Sequence, residues 1–143
     1  MEKEKVSVLI KRSALIFDKY VNQLLVPYQL TSSQFRILMT LYKSPACSVR
    51  QADIELAFSM TNPTVTGLIQ KLEKNGLVKR IENPKDKRSK LLVLTEYAES
   101  RRTEFLALGD SIEKEMTSGL SDAETDELAK LLRKVIEQHH NGR

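Results

Sequence analysis

The chain has 143 residues, 41% of them hydrophobic and 29% charged, with a formal net charge of +4 at pH 7. That length buries one modest core, so one compact unit is expected, and a single cysteine excludes an internal disulfide framework. No apolar run is long enough to span a bilayer and no signal-peptide core occurs, which predicts a cytoplasmic protein with no membrane partner.

The start, Met1–Lys5, is charged and expected to fray. Val6, Leu9, Ile10, Phe17, Tyr20, Val21, Leu24 and Leu25 recur at helical spacing and predict a first helix that ends near Pro27. Thr31 and Gln34 have the spacing of a capping box, in which hydroxyl and amide satisfy backbone donors at a helix start. The helix they open carries Phe35, Leu38, Leu41 and Tyr42 and stops before Pro45. Cys47 follows in a loop. A third helix is expected around Asp53–Phe58, with Ile54, Ala57 and Phe58 as its buried set. Only Ser59 and Met60 separate it from Thr61, so the next helix must cross it sharply.

That fourth helix opens at Thr61, whose hydroxyl can accept a backbone N–H, with Pro63 in the first turn where a missing N–H costs nothing. Val65, Leu68, Ile69 and Leu72 form one buried stripe. At about 100° per residue the opposite face shows Pro63, Thr64, Gly67, Gln70, Lys71 and Lys74. It has hydrogen-bonding groups, two cations and no carboxylate, which suits a major groove. Asn75-Gly76 ends the helix, because glycine tolerates the left-handed conformation just past a C-terminus. Leu77–Ile81 and Lys90–Leu94 are short β-forming runs around the turn-rich, cationic loop Asn83–Ser89. The layout is mainly α with a small β-hairpin: a winged helix-turn-helix, giving duplex DNA two adjacent contact points. Beyond it, Thr95 is placed to cap a long helix bearing Phe105, Leu108, Ile112 and Met116 and ended by Gly119. Ser121 and Glu124 form another capping box, opening a last helix with Leu128, Leu131, Leu132, Val135 and Ile136.

Any one Lys or Arg is usually a solvated surface residue. Their distribution is more telling. Thr61–Lys90 holds eight basic residues (Lys71, Lys74, Lys79, Arg80, Lys85, Lys87, Arg88, Lys90) against three acidic ones (Glu73, Glu82, Asp86). From Glu96 onward the chain holds seven basic and eleven acidic residues, so positive charge is focused on the expected DNA face. Catalytic chemistry is missing. His139 and His140 are adjacent and diverge by about 100° on a helix, so they do not converge on a metal; near a helix C-terminus they complement its dipole. No Cys-x-x-Cys, Gly-rich phosphate loop or Gly-x-Ser-x-Gly occurs, and no nucleophile–base pair is evident. The reading is a non-enzyme with no catalytic residues, no metal and no cofactor.

Leu30–Leu38, Asn62–Ile69, Leu72–Val78, Asp86–Ser89 and Leu94-Thr95, taken as an ordered set, resemble the MarR (multiple-antibiotic-resistance regulator) family over nearly the whole chain. The resemblance implies a homodimeric bacterial transcription factor, usually a repressor released by a small ligand or by thiol oxidation. It puts the groove-reading helix on Thr61–Lys74, which adds Thr61, Asn62 and Thr66 to the candidate DNA contacts. It puts the wing arginine on Arg88, flanked by Lys85 and Lys87, and the acid that braces it on Asp86. Gly67 stands where many members carry a long, often basic side chain, which leaves open which bases are read.

Residues 6–28 and 96–139 are expected to form a helical dimerisation region around a winged region at 31–95. The winged part has its own core, so the surplus apolar faces, with Leu9, Leu128, Leu132 and Val135, are expected at a two-fold interface. Two recognition helices about 34 Å apart would read the half-sites of a pseudo-palindrome. Phe17, Tyr20 and Tyr28 are candidates for the walls of a small-molecule effector crevice, with ordinary core packing as the alternative. The sensing thiol of some relatives lies early in the first helix, where this chain has none. A redox switch at Cys47, near Arg50, would need an intermolecular or low-molecular-weight partner. A winged-helix protein-interaction module is the remaining rival, and it would not need a cationic wing tip.

Overall fold

A computed structural model describes residues 3–140, with only the backbone at His140. Met1 and Glu2 of the charged start, the His140 side chain and the three-residue tail lie outside the described residues. Helix α1 (Val6–Leu24) passes into a single 3-10 turn, Val26–Tyr28, with Pro27 in its first turn. Gln29, left-handed at φ 58°, redirects the chain. Helix α2 (Ser32–Tyr42) starts on the expected box: Thr31 N donates to Gln34 Oε1 at 3.0 Å and Gln34 N to Thr31 Oγ1 at 3.3 Å. Buried Ser32 ties α2 to α1, its N–H donating to Asn22 Oδ1 (2.7 Å) and its hydroxyl to Asp18 Oδ1 (2.9 Å).

A two-residue strand, β1 (Val49–Arg50), precedes α3 (Gln51–Phe58) and is an addition to the expected elements. At α3 the expected buried set needs correction. Ile54 is buried, Ala57 is exposed, and Phe58 is half-buried with the Arg36 guanidinium 4.2 Å from its ring centroid. A two-turn helix offers few full-depth positions, and Phe58, next to left-handed Ser59 (φ 52°), is covered by a cation instead.

Helix α4 (Asn62–Lys74) buries Val65, Ile69 and Leu72. Its end is a Schellman turn: Gly76 (φ 73°) donates to Glu73 O and Leu77 to Leu72 O, both at 3.0 Å. Strands β2 (Val78–Glu82) and β3 (Lys90–Leu94) pair antiparallel, Arg80 opposite Leu92 and Glu82 opposite Lys90. β1 joins the other edge of β3 through Val49–Leu92, giving the order β1-β3-β2.

The long helix expected after Thr95 is broken. Thr95 does cap it, accepting from Ala98 N at 3.1 Å, but α5 (Glu96–Ser100) ends before Arg101 and α6 (Arg102–Met116) follows. The cause is local. In an unbroken helix the Ala98 carbonyl would accept from Arg102 N. Here it accepts from Arg101 N (3.1 Å) and the buried Tyr42 hydroxyl (2.5 Å), so a side chain has entered the ladder. The last helix, α7 (Asp122–His140), opens on the Ser121–Glu124 box, both arms made, at 2.9 and 3.1 Å.

The chain divides into two compact units at Gly109–Asp110. In the first, Val21, Leu25, Ile37, Leu38, Ile54, Val65, Ile69, Leu72, Val78 and Leu92 form the deepest core. Phe105 sits among Tyr28, Phe35 and Tyr42, ring centroids 5.5–6.3 Å away, so this part of the C-terminal apolar stripe is already buried within one chain. The same unit exposes Val6, Val8, Leu9, Ile10, Leu15 and Ile16 along α1. The second unit exposes Leu128, Leu131, Leu132, Val135 and Ile136 along α7. No helix among the described residues is long and apolar enough to cross a membrane.

Candidate nucleic-acid interface

The start of α4 is held by its own cap and by α3. Thr61 Oγ1 accepts from Thr64 N and donates to Thr64 Oγ1 at 3.0 Å. Asn62 Nδ2 donates to Glu55 Oε2 at 2.8 Å. Gln51 Nε2 reaches Thr66 Oγ1 (2.8 Å), Glu55 Oε2 (3.2 Å) and the Asn62 carbonyl (3.4 Å). The polar groups at the start of α4 are therefore fixed by bonds within the chain itself. Thr61, Asn62, Pro63, Thr64, Gln70, Lys71 and Lys74 are exposed, and Thr66 and Gly67 are half-buried. A Cβ built on Gly67 meets nothing within 4 Å.

Directly after α4 the hairpin carries its loop on side-chain-to-backbone bonds. Buried Asn83 accepts Lys85 N at Oδ1 (3.0 Å) and donates from Nδ2 to Ser89 Oγ (3.2 Å), closing the loop from within. Asp86 Oδ1 accepts Arg88 N (3.0 Å) and pairs with Arg88 Nε (3.4 Å). The Arg88 side chain is nonetheless 94% exposed, while Asp86 is less so. The carboxylate holds the arginine at its backbone N–H and at Nε, and leaves most of the side chain in solvent. Lys85 and Lys87 flank it, exposed.

Not all eight basic residues belong to this surface. Arg80 is turned back onto α4 by a bidentate pair with Glu73, at 2.9 and 3.2 Å. Lys71, Lys74, Lys79, Lys85, Lys87 and Lys90 take part in none of the ion pairs among the described residues. Gln51, Glu55 and Asn83 were missed from the sequence. The Gln51/Glu55 spacing of one helical turn and the Asn83-Pro84 turn signal were visible there, but their partners lie on other elements.

At the far end of α4 a cavity of about 410 Å³ is lined by Pro27, Tyr28, Gln29, Lys74, Asn75, Leu77, Tyr97, Arg101 and Phe105. Lys74 thus borders this cavity as well as the helix face. Of the three aromatic candidates only Tyr28 lines it; Phe17 and Tyr20 are half-buried on α1 and do not. The Tyr28 hydroxyl donates to Glu104 Oε2 (3.2 Å), which raises its pKa. Arg101 donates from Nε to Glu104 Oε1 (2.5 Å) and lowers the carboxyl's pKa, so the rim is polarised. The interface candidates Leu9, Leu128, Leu132 and Val135 are exposed, between 37% and 45%.

A helix-turn-helix with a braced second helix, running straight into a cationic hairpin, defines a winged helix-turn-helix protein. The model of the MarR family matches residues 30–90. Over 129 residues the chain is 33% identical to the HTH-type transcriptional regulator YwoH of Bacillus subtilis (strain 168), covering 90% of this chain and 92% of that protein. The S. aureus MepR–DNA complex superposes with a TM-score of 0.83 at 26% identity, covering 95% of this chain and 99% of that one. A mutant MarR from E. coli complexed with operator DNA gives 0.78 at 26%, covering 91% and 92%. The chain belongs to the MarR family. Its relatives are transcriptional regulators, and it is one of that kind rather than an enzyme.

Proposed function

We propose that the protein binds duplex DNA as a homodimer and represses transcription in a bacterial cytoplasm until a small molecule releases it. The observation that carries the DNA reading is the pairing of a pre-braced polar α4 face with a wing whose Arg88 side chain stands 94% exposed. A cation held outward at its root and solvated at its tip is arranged for phosphate or a narrow minor groove. The two solved relatives bound to DNA support the same reading.

Dimerisation is supported by the apolar residues left exposed along α1 and along α7, which a single chain does not cover. Effector response is supported by the cavity at the C-terminal end of α4. Its three aromatic rings and the cations Lys74 and Arg101 suit a small organic anion, and an occupant would press on Lys74, Asn75 and Leu77, where the recognition helix joins the wing. Selection of bound sequences from a random duplex pool tests this. The expected product is an inverted repeat with half-site centres one helical turn, about 34 Å, apart. An unenriched pool, or enrichment of a single half-site, would contradict it.

A further inference from the structure

Asn62 and Glu55 set a hydrogen-bond polarity at the front of α4, and this bears on which base is read there; the inference rests on the DNA-binding reading above. A side-chain amide has a donor end and an acceptor end, and by itself Asn62 could present either one. An ionised carboxylate only accepts. Glu55 Oε2 lies 2.8 Å from the Asn62 amide, so the nitrogen end must face Glu55. The same oxygen lies 3.2 Å from Gln51 Nε2, which is also held by Thr66 Oγ1, so Glu55 is anchored on its own helix as well as across to α4. Among the described residues no donor reaches Asn62 Oδ1. One N–H of the amide is engaged, and turning the amide over would set Oδ1 against the carboxylate, so the exposed side chain keeps its Oδ1 acceptor free at the first residue of α4.

We infer that Glu55 is a positioning residue for base recognition: by fixing the Asn62 amide it makes this position select an amino base, adenine or cytosine, over a keto base, guanine or thymine. In the major groove adenine N6 and cytosine N4 donate, whereas guanine O6 and thymine O4 accept. The N-terminal residues of a recognition helix are the ones that reach base edges. Glu55 itself need not touch DNA.

The experiment selects sequences from a random duplex pool with the full-length parent, Glu55→Gln, Asn62→Ala and the double variant Glu55→Gln/Asn62→Asp. The parent should enrich adenine or cytosine at one position per half-site by about two- to tenfold, the net worth of one hydrogen bond. Asn62→Ala should erase that preference and leave the other positions intact. Glu55→Gln, which can accept or donate, should also erase it. Removing the charge should raise affinity for all duplexes alike. The double variant exchanges donor and acceptor across the pair yet keeps an acceptor facing out, so the preference should return. A purely structural role for Glu55 predicts no such return. Unchanged selectivity in Glu55→Gln, or no return in the double variant, overturns the inference while leaving DNA binding standing. A parent that binds no duplex at low salt overturns the DNA-binding reading, and this inference with it.

Discussion

Gly67 offers a clean separation of stability from recognition. It lies inside α4, where glycine costs roughly 0.5–1 kcal/mol relative to alanine, because more backbone freedom is lost on folding. Its backbone does not need glycine: among the described residues the only glycine with positive φ is Gly76, and a Cβ on Gly67 meets nothing within 4 Å. With no clash to subtract, Gly67→Ala should stabilise by about 0.5–1 kcal/mol, which for a chain of this size raises Tm by roughly 2–5 °C. Thermal and urea unfolding should be run at one fixed protein concentration, since assembly adds to apparent stability. A Tm that falls would mean that position 67 is not an open helical site, and the account of the α4 face would fail with it. On the same open surface Gly67→Arg should tighten binding to random duplex without changing the fold.

Leu132→Ala should weaken the proposed dimer by about 1–2 kcal/mol for each of the two truncated side chains, since only the exposed 37% of Leu132 is left to bury, with little effect on the fold of the chain that exposes it. Sedimentation equilibrium checks this, and an unaltered dissociation constant would remove α7 from the interface. Tyr42, 4% exposed and hydrogen-bonded to Ala98 O, has its pKa pushed up from 10.0 to about 12, chiefly by burial. Its folded state holds the proton more tightly, so that stability is intact below pH 10 and is lost as pH rises toward 12. Loss of the hydroxyl's bond to Ala98 O should make Tyr42→Phe cost about 1 kcal/mol at neutral pH, and urea titrations of both proteins should show the gap closing above pH 10 as the parent's tyrosine ionises. Cys47 is exposed and is the chain's single cysteine. Cys47→Ser should leave DNA binding unchanged, with peroxide or without it; a parent released by peroxide beside a resistant variant would favour a redox effector instead.

Short-range chemistry was the legible part of this fold. The caps at Thr31, Thr61, Thr95 and Ser121 and the turn at Gly76 each depend on residues within about one helical turn, and all are made as their spacing suggests. What escaped depends on distant partners. The break at Arg101 comes from a Tyr42 hydroxyl 56 residues from the carbonyl it engages. β1 is two residues long, too short to carry an alternating pattern, and exists only because Leu91 and Leu92 pair with it. Arg80 reads as one more wing cation until Glu73 is seen beside it. The cavity beside Lys74 is likewise assembled from the 3-10 turn, the end of α4 and the α5–α6 junction. Tyr28 could be singled out as an aromatic near a proline, but Tyr97 and Arg101 had no local mark.

Salt dependence of duplex binding, for the parent and for Arg88→Ala, tests the central claim most directly. Arg88 is solvent-exposed and anchored only through Asp86, so its removal should leave Tm unchanged and any loss of affinity can be attributed to a DNA contact. The parent's log K should fall linearly with log salt concentration, and Arg88→Ala should bind about 1–3 kcal/mol more weakly, with a slope smaller by about one unit per subunit. No duplex binding by the parent at low salt, or an Arg88→Ala protein with the parent's affinity and slope, would contradict the proposal that this α4 face and wing grip DNA.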